Sequence, residues 1–319
     1  MGNLNAIVLG ANGFAGEIGK KGTVTDITFF NLKKGDDSVT LIEPTKYPEK
    51  MSSLFYAGAM SDLAILIIEK IDSTLGETIL MVDCLGIDKG MIILRNYIQE
   101  PQVRTLLAGT SLEKYTVAED DPIKLRESLL TLASAKGKGS DAACGSVPVD
   151  SHFNVKGVGT VVLGSVIDGT VRKHDKMRVL PLSDTVILKS IQKHDIDSEF
   201  GTKGDHVGLA LRGIESEKLD RGYVLTTDNS VKMTKIVKDR AKIVKYWPAP
   251  LKEGMVMHLG HWMQMVPCRI KTIDNGSDWR APAVELELEN EIIHRPDDHA
   301  VMMYLEGGKL RVIGKIALK

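Results

Sequence analysis

The chain has 319 residues and a formal net charge of -1, and 43% of its residues are hydrophobic. This length is enough for two or three domains with well-buried cores, and the balanced charge excludes binding to nucleic acid through a strong overall field. Three cysteines without a Cys-x-x-Cys pair favour a reducing compartment over a disulfide scaffold. No signal peptide and no membrane-spanning apolar run is predicted, so we expect a cytoplasmic protein.

The first 135 residues alternate between strand-like and helix-like patterns. Apolar strand patterns occur at 6–9, 38–42, 63–68 and 91–94, and helical spacing occurs at 48–61, 74–85 and 121–132. The residues between the first two strands are interpreted as a glycine-rich turn and a polar stretch. Strands alternating with helices are typical of an α/β domain with a mostly parallel sheet.

The pattern changes after this domain. Residues 136–147 are rich in Ala, Gly and Ser, which predicts a linker. Strand patterns then follow at 159–166, 170–180, 186–192 and 207–212, and residues 284–289 alternate strictly. We therefore predict two β-barrels, one at 148–230 and one at 231–319.

The segment predicted as the first barrel resembles domain II of translational GTPases. Its motifs are FNVKGVGTVVLG at 153–164, RVLP at 178–181, KSIQ at 189–192, GDHVGLALRG at 204–213 and LDRGYVL at 219–225. They occur in the family's order and spacing, and they are most similar to the selenocysteine-specific elongation factor and more distantly to elongation factor Tu. The resemblance implies a multidomain fold, in which a P-loop-GTPase-like α/β domain is followed by translation-factor domains II and III.

The two ends of the chain resemble the same family with less specific motifs. Residues 39–42, 57–59 and 62–68 resemble parts of the G domain, and LRVIGK at 310–315 resembles the end of domain III. Because the given sequence stops shortly after this motif, we expect no counterpart of the further C-terminal domain of selenocysteine-specific factors and no role in selenocysteine delivery.

The phosphate loop of this family, G-x-x-x-x-G-K-[ST], is degenerate in this chain. Gly10 follows a strand, Gly13 lies within the turn, and Gly16 is followed by Glu17 instead of lysine or a hydroxyl residue. A carboxylate at this place would repel phosphate oxygens. Backbone N–H groups of such a turn could still bind an anion weakly.

The switch motifs of the family are altered as well. The position of the metal-binding threonine is Val24, although Thr23 and Thr25 flank it and a slip of one residue would restore a hydroxyl. The family's D-x-P-G-H motif corresponds to Glu43 and residues 44–47, which lack both the glycine and the histidine.

The guanine-reading N-K-x-D motif is replaced by Arg95, Asn96, Tyr97 and Ile98, so the aspartate position is apolar. Since all four motifs are changed together, we predict a pseudo-GTPase that needs no cofactor. The alternative is an active GTP-binding elongation factor with an atypical site, which would require GTP and magnesium.

Two other constellations point to different chemistry. The run of glycines from Gly10 to Gly16 also resembles a dinucleotide-binding turn, for which Asp36 or Asp37 would be the acidic residue. Four histidines invite a metal interpretation, but a strand would place the first two on opposite faces, so we expect ordinary barrel histidines and no metal. They are His258, His261, His294 and His299.

The expected partners are tRNA, the ribosome or another translation factor, bound through the barrels. Four basic residues near the first hairpin of the first barrel are candidates for RNA or partner contacts: Lys156, Arg172, Lys173 and Lys176. No catalytic residue and no membrane partner is predicted. A non-translational scaffold or regulatory role remains an alternative, and the sequence does not indicate an oligomeric state.

Overall fold

The computed structural model describes residues 2–35, 37–136, 144–194, 196–306, 308 and 310–319. The N-terminal part is an α/β domain whose sheet has the strand order β2-β3-β4-β1-β5-β6-β7. Strands β1, β4, β5, β6 and β7 are parallel, and β2 and β3 extend the sheet antiparallel. Its strands are β1 Asn3–Leu9, β2 Lys20–Val24, β3 Thr28–Lys34, β4 Asp37–Glu43, β5 Leu63–Ile68, β6 Gly90–Leu94 and β7 Thr116–Val117. Its helices are α1 Ala15–Ile18, α2 Met51–Ala59, α3 Ser73–Leu85, α4 Glu100–Leu107 and α5 Pro122–Lys136.

The sequence of the α/β domain accounts for its central elements. All six residues of β5 are buried, because the central strand of this sheet is covered on both faces. Helix α3 begins where the Asp72 side chain accepts a hydrogen bond from the Leu75 amide. It ends at Gly86, which adopts the left-handed conformation with φ 74°.

The first barrel follows at Ser146. Strands β11, β16, β8, β9, β15 and β12 close on themselves through the β11–β12 pair, and β13 adds to its edge. Its core contains valine and leucine side chains such as Val162, Leu188 and Leu209. Its strands are β8 Ser146–Val155, β9 Gly159–Ser165, β10 Thr170–Arg172, β11 Lys176–Leu180, β12 Thr185–Lys193, β13 Ile196–Ser198, β14 Phe200–Thr202, β15 His206–Arg212 and β16 Val224–Thr226.

The second barrel is closed in the order β17-β20-β19-β18-β21-β22. Its core is continuous with one face of the α/β domain, since buried side chains of both form one hydrophobic cluster. Gly260 allows this approach, because a Cβ atom there would lie 2.6 Å from the Phe55 ring. Its strands are β17 Lys232–Ile243, β18 Val256–His261, β19 Gln264–Asp274, β20 Ala283–His294, β21 Asp298–Met303 and β22 Val312–Leu318.

Partly buried ionic contacts join the α/β domain to both barrels. Arg221 of the first barrel donates to both carboxylate oxygens of Asp26 at 2.9 Å and lies 2.9 Å from Asp150. Arg311 of the second barrel donates to Glu77 of α3 at 2.6 Å. Breaking buried pairs of this kind costs several kcal/mol, so these contacts favour one arrangement of the three domains.

The predicted element order agrees with the structure, but several boundaries were wrong. The polar stretch contains the β2–β3 hairpin, and helix α2 begins at Met51 instead of residue 48. The strand pattern at 170–180 contains a turn signal at 173–175, and the structure divides it there into β10 and β11, with φ 73° at His174. Helix α4 was not predicted at all.

The linker predicted at 136–147 lies mostly outside the described residues, because 137–143 are not part of them. The structure does describe the two ends of this segment. Lys136 is the last residue of α5, and Ser146 is the first residue of β8, so regular structure extends into the predicted linker from both sides.

Candidate functional site

The degenerate phosphate loop lies between β1 and α1, at the carboxyl end of the parallel sheet. Gly10 has φ 93° and approaches β5 so closely that a Cβ atom would clash with the Ile67 carbonyl oxygen. Gly13 has φ 89°, which favours glycine for the same conformational reason. The loop therefore keeps the backbone shape that points amide groups toward a bound anion.

The anion in this loop is a side chain of the protein itself. Glu43, the last residue of β4, accepts a hydrogen bond from the Gly13 amide at 2.9 Å through Oε2. Its Oε1 accepts a second from the Ala15 amide at 2.8 Å. The side chain is buried, and hydrogen bonds to a charged acceptor are stronger than those between neutral groups. The carboxylate thus takes the role that phosphate oxygens have in nucleotide-binding loops.

The residues present do not fit GTP and magnesium. Two loop amides are already bound to Glu43, whose negative charge would repel a phosphate group. Gly16 and Glu17 provide neither an ammonium group nor a hydroxyl at the start of α1. Glu17 was expected to bring the negative charge into the loop, but it is exposed, and the carboxylate in the loop is that of Glu43.

The region that resembles the first switch is the β2–β3 hairpin. Val24 is 53% exposed and pairs with Thr28 across the hairpin. The Thr25 hydroxyl is within hydrogen-bond distance of the Asp26 carboxylate at 3.1 Å and of the Ile27 carbonyl at 3.2 Å. A slip of one residue to Thr25 therefore offers no free hydroxyl, because that group is engaged locally, and the other flanking residue, Thr23, is an exposed residue of β2.

The guanine-reading position after β6 is engaged in ion pairs. Arg95 donates to Asp120 at 2.7 and 2.9 Å and to Glu69 at 3.0 Å, and its guanidinium lies 5.2 Å from the centre of the Phe14 ring. The hydrogen bonds that Arg95 donates to Asp120 and Glu69 raise its pKa above the usual value. The Asn96 amide group donates to the Glu69 backbone carbonyl at 3.1 Å.

The rest of this position is apolar. Ile98 is partly buried and packs against the hydrophobic cluster shared with the second barrel. Sequence reasoning identified Arg95, Asn96 and Ile98 as altered positions, but it missed Asp120 and Glu69, which come from the ends of other strands. The aspartate that would read guanine is thus replaced by a side chain that packs into the core.

The dinucleotide alternative is not supported by the sheet register. Asp37 begins β4, and its carboxylate accepts the Gly2 amide at 2.7 Å. Since β1 and β4 are parallel and Asn3 pairs with Ser38, Asp37 lies at the opposite edge of the sheet from Gly10. It therefore cannot bind a ribose held at that loop. Asp36 lies outside the described residues.

The four histidines of the second barrel do not share a common set of neighbours, and two of them lie within hydrogen-bond distance of separate groups of the protein. The His261 Nδ1 is 2.9 Å from the His299 carbonyl oxygen, and His294 Nε2 is 2.8 Å from the Thr234 hydroxyl. Burial lowers the pKa of His258. Among the residues that the structure describes, no group of three or more His, Cys, Asp or Glu is arranged to hold a metal ion.

The basic candidates of the first barrel belong to two separate turns. Lys156 lies in the β8–β9 turn, whereas Arg172, Lys173 and Lys176 surround the β10–β11 turn. The Lys173 ammonium is 3.3 Å from Glu199, so part of its charge is neutralised.

A cleft of about 580 Å³ lies between the β2–β3 hairpin and the first barrel. Phe153 is 41% exposed at its margin, and the Lys156 turn forms part of the same edge. The cleft thus combines polar and apolar groups in similar measure, with a cation beside it, and offers both stacking and hydrogen-bonding groups to a ligand. Its lining residues are Gly22, Thr23, Asn31, Phe153, Val155, Val158, Val161, Leu163, Ser190, Gln192, His194, His206, Gly208 and Ala210.

An α/β domain with a phosphate loop, followed by two closed barrels, is the architecture of translational GTPases. Residues 159–226 match the family model for elongation factor Tu domain 2. The chain is also similar in fold to translation elongation factor SelB of Methanococcus maripaludis in complex with the GTP analogue GppNHp. That match has a TM-score of 0.84 and 20% identity, and it covers 99% of this chain and 79% of the other.

The chain belongs to the translational GTPase family. It is 34% identical over 303 residues to an uncharacterized protein of Methanocaldococcus jannaschii, which covers 95% of this chain and 94% of that protein. It is 28% identical over 271 residues to the selenocysteine-specific elongation factor of the same organism, of which it spans 58%. Within the described residues, no helix is long and apolar enough to cross a membrane.

Proposed function

We propose that this protein is a translation-factor relative that has lost GTP hydrolysis and binds a single-stranded RNA end, such as the acceptor end of tRNA. The observation that carries the first part is the Glu43 carboxylate on the Gly13 and Ala15 amides. A loop whose donors already bind an internal anion gains little from a phosphate, and it would have to expel a buried carboxylate first. The protein acts without GTP or magnesium.

The RNA part of the proposal rests on the cleft beside the first barrel. Single-stranded RNA is bound by stacking of bases on aromatic rings and by cations near the phosphates. Phe153 offers an exposed ring, and Lys156 lies three residues further along, in the turn that ends β8. Asn31 and Ser190 also line the cleft and supply polar groups that can pair with base edges.

The arrangement of the domains supports a binding role without a nucleotide switch. Arg221 and Arg311 tie the two barrels to the α/β domain through buried or partly buried carboxylates. The cleft is therefore held in shape while the phosphate loop stays closed by Glu43. A protein of this kind acts in the cytoplasm, where the ribosome and other translation factors are further partners.

Retention of tRNA on the immobilised protein, measured across a salt series, tests the RNA proposal. We expect the wild-type chain to retain tRNA at low salt and to lose it as salt rises, because phosphate contacts release counterions. Phe153→Ala should weaken retention by about tenfold, since base stacking contributes about 1–3 kcal/mol. Lys271→Ala, which removes a lysine from the second barrel, is the matched control for Lys156→Ala and should leave the retention of tRNA unchanged.

Two outcomes would contradict the proposal. If neither tRNA nor ribosomes are retained at low salt, the role is a scaffold or regulatory one outside translation. If the Phe153→Ala and Lys156→Ala variants retain as much tRNA as the wild type does, the cleft is not the binding site of tRNA.

A further inference from the structure

A second cleft, of about 300 Å³, lies between the α/β domain and the second barrel, away from the phosphate loop. It is bounded by α3, by the residues after α4 and by β17 and β22. Four of its side chains are cationic and one is a carboxylate, so its lining carries an excess of positive charge. The charged residues are Asp83, Lys242, Lys245, Arg280 and Lys315.

Two of these lysines lie directly opposite each other. Lys242 of β17 pairs in antiparallel register with Lys315 of β22, so both side chains project from the same face. Like charges directly across a strand pair destabilise a sheet. Among the residues that the structure describes, neither ammonium forms an ion pair with a carboxylate of the chain. In the described part of the chain, their repulsion is therefore not offset by an ion pair.

The other charged groups of the cleft are held in place. The Arg280 guanidinium lies 4.0 Å from the centre of the Trp279 ring and donates to the Lys245 carbonyl at 3.0 Å, while in the described part of the chain its Nε has no hydrogen-bond partner. The Asp83 carboxylate is engaged, because it accepts the Ser111 amide at 2.7 Å. The single carboxylate offsets only one of the four cations, so the lining keeps an excess of positive charge.

We propose that this cleft binds a small ligand with two or more phosphate groups. Three lysines and an oriented guanidinium match the charge and the acceptor geometry of such a ligand. The volume is at the lower end of that of small-molecule sites, which suits a diphosphate group. Tyr246 is 58% exposed beside Lys245 and offers a ring on which a nucleoside base can stack.

The uncompensated lysine pair makes the proposal testable with inorganic pyrophosphate by calorimetry and thermal unfolding. The wild-type chain should bind pyrophosphate and unfold at a higher temperature with it. The double variant Lys242→Ala/Lys315→Ala should bind at least about tenfold more weakly, a loss of about 1.4 kcal/mol. Without ligand, the same variant should unfold at a higher temperature than the wild type, because the like-charge pair is removed.

Lys238→Ala is the matched control. It removes a lysine of the same strand whose ammonium is paired with Glu285 at 3.0 Å, and it should keep the wild-type affinity for pyrophosphate. Equal binding of pyrophosphate by the wild type and the double variant would place the anion elsewhere, including at the phosphate loop. No binding to the wild type at millimolar pyrophosphate would also overturn the proposal.

A third arm separates a small ligand from a nucleic acid. The proposal expects adenosine diphosphate and pyrophosphate to compete with each other for this cleft. If the double variant Lys242→Ala/Lys315→Ala binds a single-stranded RNA more weakly than the wild type but binds pyrophosphate equally well, the cleft is part of an RNA-binding surface and the small-ligand proposal is wrong. The outcomes that support this proposal do not depend on Phe153 or on Glu43, so they can be distinguished from a failure of the proposed function.

Discussion

Replacement of Glu43 by alanine should open the phosphate loop. The carboxylate makes two hydrogen bonds to backbone amides, at 2.9 and 2.8 Å, and is buried. At about 1.5 kcal/mol net for each hydrogen bond to a charged group, the variant should lose about 3 kcal/mol of local stability. This energy corresponds to amide exchange that is about a hundredfold faster in residues 10–18.

Hydrogen–deuterium exchange read out by mass spectrometry measures this change peptide by peptide. Glu17→Ala is the matched control, because it removes the same charge from an exposed residue of the same region, and its exchange should stay near that of the wild type. The vacated loop should also bind inorganic anions weakly. At tenfold excess over its dissociation constant, phosphate should restore about 1.4 kcal/mol in the Glu43→Ala variant and slow exchange again.

The wild type should not respond to phosphate in this region, because its loop amides are already bound. The reasoning is refuted if Glu43→Ala exchanges no faster than Glu17→Ala in residues 10–18. It is also refuted if phosphate slows exchange there equally in the wild type and the variant, since the carboxylate would then not occupy the anion position.

Further predictions concern stability. Glu77→Ala should lower the free energy of unfolding by about 3–5 kcal/mol in urea titrations, because it leaves the Arg311 guanidinium partly buried and unpaired. Arg95→Ala breaks partly exposed ion pairs and should cost only about 1 kcal/mol in the same assay. Burial lowers the pKa of His206 to about 4 in the folded state, so its contribution to stability is present above pH 6.5 and is lost as the pH falls toward 4. The full pKa shift would correspond to about 3 kcal/mol of stability, and we expect about half of that, since the residue is half-buried against Phe29. His206→Gln should therefore flatten the fall in stability at acid pH. An unchanged pH profile of stability in this variant would contradict the assignment.

The sequence was informative about the fold where local pattern and family motif agreed. The apolar run of β5 and the motifs of the first barrel led to the correct architecture. The β2–β3 hairpin was missed because β2 is exposed throughout and Phe29 and Phe30 are both buried, on opposite faces of the sheet. A strand covered on both faces loses the alternation that identifies strands in a sequence.

Helix α4 had a signal that could have been used. Gln99 and Gln102 form a capping box, and Pro101 lies in the first turn, which together mark a helix start. The short helix of eight residues has only Val103 and Leu107 buried, so its apolar pattern is weak. Caps rather than hydrophobic spacing identify such an element.

The candidate site was predictable only in part. The loss of lysine, hydroxyl and histidine could be read directly from the aligned motifs. The binding of the Glu43 carboxylate to the loop amides could not be predicted. Glu43 is 28 and 30 residues from the amides that it binds, and no sequence pattern distinguishes a glutamate that makes such a contact from any other glutamate at the end of a strand. The same holds for Arg95, whose carboxylate partners come from the ends of different strands.

Calorimetric titration of the wild-type chain with GTP and GDP in the presence of magnesium tests the central claim most directly. With the Glu43 carboxylate bound to the Gly13 and Ala15 amides, we predict no heat of binding at sub-millimolar nucleotide and no release of phosphate from GTP. Sub-millimolar affinity for either nucleotide together with measurable phosphate release would contradict it, because the loop would then exchange its internal carboxylate for a nucleotide phosphate.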